Sequence, residues 1–236
     1  MKWLRTIIII NKGGIVSSED WQKIHTSYVR SIQSIDFPKG SGKLLLRRKE
    51  KREDGQWNRN GVGYLRKRFL EHMVKNEEWK AEAGFTKEIR QNQVEFCLYP
   101  SLEPHQEPIK ATFGDFDFLT EAPDGTRVAI EWETGNISSS HRSMNKLSIA
   151  LSSGVVNAGV LIVPSRDLYE HLTDRVGNIS ELSSYLSLWK ATGEGIERGL
   201  LAISVVEQDE LTSASDHPYL HVGTDGRAKE GRVKRK

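Results

Sequence analysis

The stretch Val128-Ala129-Ile130-Glu131-Trp132-Glu133-Thr134-Gly135-Asn136-Ile137-Ser138-Ser139-Ser140-His141-Arg142-Ser143-Met144-Asn145-Lys146 decides the reading of this chain. In an extended strand the side chains alternate, so Val128, Ile130 and Trp132 share one face while Ala129, Glu131 and Glu133 share the other. Two carboxylates therefore point the same way directly before a polar segment that opens a helix. Such a pair can hold a divalent cation beside a groove.

Working outward, the residues before this stretch repeat the pattern. Between Lys110 and Thr120, Phe116 and Phe118 are expected on one face, with Asp115 and Asp117 on the other. The link Glu121-Ala122-Pro123-Asp124-Gly125-Thr126 has hairpin chemistry, since Pro fixes φ and Asp-Gly accepts a tight turn. A turn centred on Asp124 sets Asp117 opposite Glu131 and Asp115 opposite Glu133. Crowded like charges are destabilising unless a cation or raised pKa values relieve them. The plain alternative is a solvent-facing acidic hairpin.

The rest of the chain alternates helix and strand. Residues 19–34 and 62–82 read as helices, the second from Leu65, Phe69 and Met73 at helical spacing, and strands are expected near 92–99, 110–120 and 126–134. The helix after Gly135 turns Met144, Leu147 and Leu151 to the core. Val155 to Val163 is a continuous apolar run, as in a central strand buried on both faces, and Pro164 ends it. Helices near 166–172 and 179–190 flank a loop carrying Asp174 and Arg175, and Leu200 to Val206 forms a last strand. The fold class is α/β, a mixed central β-sheet flanked by helices. Residues 1–236 suffice for one domain, with 1–45 unassigned and a basic, mobile tail over 227–236.

A formal net charge of +2 conceals an asymmetry: residues 1–70 hold sixteen Lys and Arg against six Asp and Glu. The clusters Arg47-Arg48-Lys49-Glu50-Lys51-Arg52 and Arg66-Lys67-Arg68 could meet phosphate, or be merely solvated. The single cysteine, Cys97, sits in an apolar run and reads as a small buried hydrophobe, which excludes an internal disulfide and suits a reducing compartment. Ile7 to Ile10 is too short for a membrane span or a signal peptide, so a cytoplasmic protein without membrane contact is expected. The histidines show no paired metal spacing, which argues against zinc, and His141 reads as a structural or phosphate-contact residue.

The run from Glu131 through Leu147, together with Leu172-Thr173-Asp174-Arg175-Val176, resembles the BamHI-like type II restriction endonucleases of the PD-(D/E)xK superfamily. The resemblance extends from about Asn60 to about Leu188, and residues 1 to about 45 show none. It implies a homodimer that uses Mg²⁺, needs no nucleotide cofactor, and cuts both strands of a palindromic DNA duplex. By position it makes Asp117, Glu131, Glu133 and Glu82 catalytic, with Asp117, Glu131 and Glu82 holding metal. Glu133 stands where most of the superfamily has Lys, and Glu82 falls at the end of the preceding helix. Asn136, Ser138, Arg142, Asp174, Arg175 and Asp225 match positions that read DNA, which implies a GGATCC-like target. Phosphodiester hydrolysis suits this set, because carboxylate-held hard cations activate water and stabilise the leaving oxygen. Rival readings are a sequence-specific DNA-binding protein that does not cleave, a repair or mobile-element nuclease of the same superfamily, and a carbohydrate hydrolase using paired carboxylates.

Overall fold

The computed structural model describes residues 1–83, 89–90, 95–97, 99–101, 104–106, 110–111, 115–173 and 176–222. Its centre is a six-stranded sheet of β1 (Lys2–Lys12), β2 (Lys80–Ala83), β3 (Phe116–Glu121), β4 (Arg127–Trp132), β5 (Ala158–Pro164) and β6 (Gly199–Glu207), in the order β1-β6-β5-β4-β3-β2. Strand β5 runs parallel to both β4 and β6, whereas β1–β6, β3–β4 and β2–β3 are antiparallel. The apolar run that ends at Pro164 is buried along its whole length, as a parallel strand covered on both faces must be.

Helices cover the two faces. On one side α1 (Glu19–Gln33) and α2 (Gly63–Asn76) bring Trp21, Tyr28, Ile32, Leu65, Phe69 and Met73 against Val128, Ile130 and Trp132 of β4. On the other, α3 (Ile137–Ser152) sets Met144, Leu147 and Leu151 against Ala129, Leu161 and Val163, as their spacing predicts. Gly159 on β5 allows this approach: a Cβ there would stand 3.1 Å from that of Leu147, closer than nearly all real contacts.

Several expectations are revised. The helix expected over 62–82 stops at Asn76, because Glu78 takes a positive φ of 59° and Trp79 N–H turns back to Met73 C=O at 3.1 Å. Glu82 thus lies on β2 and not at a helix end. The helix expected near 166–172 is α4 (Arg166–Glu170), and the one expected near 179–190 is broken into α5 (Ile179–Leu182), a 3₁₀ turn and α6 (Leu186–Ala191). Strand β1 had no counterpart in the sequence reading; Ile7 to Ile10 conceals its alternation, and bulges at Trp3/Arg5 and Ile8/Ile10 break its period. Phe116 and Phe118 divide between the two cores, Phe116 packing with Leu119 beneath α3. Glu95–Cys97 pairs with Pro104–Gln106, and Ile89–Arg90 with Lys110–Ala111, apart from the main sheet. The side chains of Cys97 and Glu82, and the 227–236 tail, lie outside the described residues. Among these residues no helix is long and apolar enough to cross a membrane.

Candidate active site

Three acids share one row across neighbouring strands. The β3–β4 ladder ends at the pair Phe118–Ile130, with Asp117 and Glu131 the next residue on either strand. The β2–β3 ladder pairs Phe116 with Ala83 and Phe118 with Ala81, so the position between them faces Asp117 with Glu82. Glu82, Asp117 and Glu131 thus occupy neighbouring backbone positions on three adjacent strands, at the end of the sheet where α3 begins. Asp115 stays outside this row; it is exposed, and its contribution is a backbone carbonyl.

Each described acid is tightly held. Asp117 Oδ2 accepts from Trp132 N–H at 2.8 Å and Oδ1 from Arg66 Nη2 on α2 at 2.7 Å. Glu131 Oε1 accepts from Lys146 Nζ on α3 at 2.6 Å. Burial pushes the Glu131 carboxyl above the usual range, the Lys146 ammonium opposes this, and the charge of Asp117 adds to the rise. Glu133 Oε1 accepts from Gly135 N–H at 2.5 Å, while Oε2 is buried without a hydrogen-bond partner among the described residues. Its pKa is pushed up to about 7, mainly by burial; Ser140 and the Gly135 N–H draw it down, and Glu131 and Asp117 raise it further. Ser140 Oγ is near enough to act on the charge, but its buried oxygen makes no hydrogen bond of normal geometry.

These donors suit a hard divalent cation: all are oxygens, Glu133 Oε2 is an orphaned buried acceptor, and Asp117 and Glu131 already accept positive charge. Among the described residues no three His, Cys, Asp or Glu side chains gather closely enough to hold one. Lys146 and Arg66 occupy the acids instead, and the side chain of Glu82 lies outside that set.

The opening of α3 stands beside this row. Asn136 caps it, its side-chain oxygen accepting from Ser139 N–H at 3.2 Å, and Asn136, Ser138 and Arg142 are exposed. Ser138 and Arg142 are four apart and lie on one helical face. Asp174, Arg175 and Asp225 lie outside the described residues, yet both flanks of the 174–175 loop are fixed. Thr173 N–H donates to Asn60 C=O, and Gly177 N–H to Gly135 C=O at 3.1 Å. A Cβ on Gly177 would stand 1.9 Å from Ser140 Oγ and 3.3 Å from Ile137 Cα, so Gly177 packs closely against the start of α3.

Lys146 and Arg66 were the residues that sequence reasoning missed at this site. Lys146 closes the quoted stretch, and its alignment with Glu131 depends on how α3 crosses the sheet. The basic clusters are largely spent within the molecule. Arg47 pairs with Glu50, Lys49 with Glu170, Arg52 with Asp54 and Arg68 with Asp36. His141 packs its ring edge against Tyr185 at 4.3 Å and lies tilted over Trp189 at 5.5 Å.

The profile of the family described as restriction endonuclease BamHI matches residues 1–227, including the first 45. The type II restriction enzyme OkrAI of Oceanobacter kriegii is 31% identical over 230 residues, spanning 97% of this chain and 99% of that protein. The type II restriction enzyme BamHI of Bacillus amyloliquefaciens is 50% identical over 62 residues, 26% of this chain and 29% of that one. The crystal structure of restriction endonuclease BGLII complexed with a DNA 16-mer shares the fold, with a TM-score of 0.52 at 10% identity, over 93% of this chain and 86% of that chain.

Proposed function

The chain belongs to the BamHI restriction endonuclease family, and on that premise we propose that this type II site-specific deoxyribonuclease is a Mg²⁺-dependent homodimer that cuts both strands of a GGATCC-like palindrome. The alignment of Glu82, Asp117 and Glu131 across three strands, next to the exposed opening of α3, carries this reading. Asp117, Glu131 and Glu82 would hold the cation. When bound, it would supply Lewis acidity to the scissile phosphate and lower the pKa of an attacking water.

The chain's own residues do the rest. Glu133, whose Oε2 has no partner, orients the water and takes its proton, and a pKa near 7 suits a base working near neutrality. Arg66 and the Trp132 N–H fix the Asp117 carboxylate, so the row keeps its geometry as DNA docks. Asn136, Ser138 and Arg142 face the major groove from α3. Asp174 and Arg175 follow from the adjoining loop and Asp225 from the C-terminal segment. Arg175 donates to guanine O6 and N7, and Asp174 accepts from cytosine N4. A two-fold dimer matches a palindrome half-site by half-site. The family match and the 31% identity to a type II restriction enzyme support DNA as the ligand.

Digesting a mixed-sequence plasmid with Mg²⁺ and sequencing the ends tests this reading. Discrete fragments whose ends share one palindrome are expected, and EDTA should abolish them. Undiminished cutting in excess EDTA, or ends with no common palindrome, would contradict it.

Readout of sequence has its own test. Arg175→Ala should remove a bidentate base contact worth about 1–3 kcal/mol of discrimination, so affinity for the specific site falls far more than affinity for random duplex. Equal losses on both DNAs would make Arg175 a backbone clamp and remove the best single support for a GGATCC-like target.

A further inference from the structure

Lys146 sits on the side of α3 that turns toward the sheet, between exposed Asn145 and buried Leu147. A lysine in such a place ordinarily lays its stem along the helix and carries its ammonium to water. This one folds inward. Nζ donates to Glu131 Oε1 at 2.6 Å and to the Asp115 carbonyl at 2.7 Å, and it lies 4.3 Å from the centre of the Phe116 ring. The side chain is 17% exposed and that of Glu131 11%. A carboxylate, a carbonyl oxygen and a ring face thus surround a compact positive charge, much as oxygen donors surround a hard cation.

We infer that Lys146 is a built-in counter-cation of the carboxylate row, holding Glu131 in place while no divalent ion is bound and competing with such an ion for it. This rests on the metal-site reading proposed above. A buried carboxylate without a partner is strongly disfavoured, so the metal-free protein needs a charge at this position. The same charge then opposes a dication arriving at Glu131, since the two cations repel at short range in a poorly solvated site. Lys146 is therefore a positioning residue that sets how readily the site loads, with Asp115 C=O as the anchor that keeps its ammonium in reach.

The test is calorimetric titration of DNA-free protein with Mn²⁺. Lys146→Met keeps the length and apolar stem but removes the charge, and should bind Mn²⁺ about tenfold more tightly than wild type. Lys146→Arg keeps the charge and should show no such tightening. Unchanged or weaker binding by Lys146→Met overturns the inference. Glu131→Gln separates the two readings. If it binds Mn²⁺ as wild type does, the metal-site assignment itself fails; if it loses binding while Lys146→Met gains none, only the role of Lys146 falls. Wild-type protein provides a measurement free of folding effects. Acetylation read by mass spectrometry should find Lys146 protected without cation and labelled faster in saturating Mn²⁺, whereas equal labelling in both conditions would overturn the inference.

Discussion

Glu131→Ala and Asp117→Asn are each expected to lower DNA cleavage by about 10²–10³-fold or more while leaving sequence-specific binding in place. Both acids stand at the end of the sheet beside α3, and on the reading proposed above each variant loses a carboxylate oxygen that would hold the cation. Binding should survive because the substitutions remove negative charge from a surface that phosphates approach. The two variants differ in their structural consequences. Asn at 117 still offers an acceptor to the Trp132 N–H, so β3 and β4 remain joined, and only the charge that Arg66 meets is lost. Ala at 131 removes the carboxylate that Lys146 contacts, leaving the ammonium its bond to the Asp115 carbonyl. Asp117→Asn is thus the cleaner probe of chemistry. Gel shifts and single-turnover cleavage on the same preparations decide the matter. If the Glu131 variant cuts at a near wild-type rate, the metal site is misplaced; if both variants lose specific binding as well, the acids serve recognition or folding.

Much of this arrangement was legible in the sequence because strands have a period of two. Val128 to Glu133 alternates cleanly, and Pro123-Asp124-Gly125 fixes the hairpin, so the register as far as Phe118 and Ile130, one step from Asp117 and Glu131, follows by counting from the turn. The apolar run to Pro164 likewise declares a central strand. Glu82 reads as helical because Lys80-Ala81-Glu82-Ala83 alternates over only four residues, all good helix formers, and the break at Glu78 is a backbone conformation that its residue type does not announce. The edge strand β1 was hidden for a related reason: four consecutive isoleucines and two bulges erase the pattern that alternation needs. The contacts of Lys146 and Arg66 join residues far apart in the chain, and only the crossing of α3 and α2 over the sheet brings them to their acids. Basic runs such as Arg47 to Arg52 show the reverse limit, for composition reports charge but not the partners that neutralise it.

Glu133 should show the second large effect, and its environment ties the chemistry to a stability measurement. Glu133→Gln removes a proton acceptor and should slow cleavage by about 10²–10⁴-fold with little change in specific binding. Glu133→Lys, which restores the residue most of the superfamily carries there, is expected to keep measurable activity. In EDTA the same carboxyl can be followed without any reaction. Its folded-state pKa of about 7 lies above the ordinary 4.5, because burial and the charges of Glu131 and Asp117 disfavour ionisation more than Ser140 and the Gly135 N–H favour it. The folded chain therefore keeps a proton that the unfolded chain gives up between these values. That contribution to stability is complete below about pH 4.5 and disappears as the pH rises through about 7. Wild type should accordingly lose stability relative to Glu133→Gln over this window, since the amide stays neutral throughout. Denaturant midpoints of both proteins from pH 4.5 to 8 in EDTA measure the difference. A gap between them that does not vary with pH would show that Glu133 is already ionised in the folded chain. Cleavage by Glu133→Gln within tenfold of wild type would remove it from the activation of water, whatever the stability curves show.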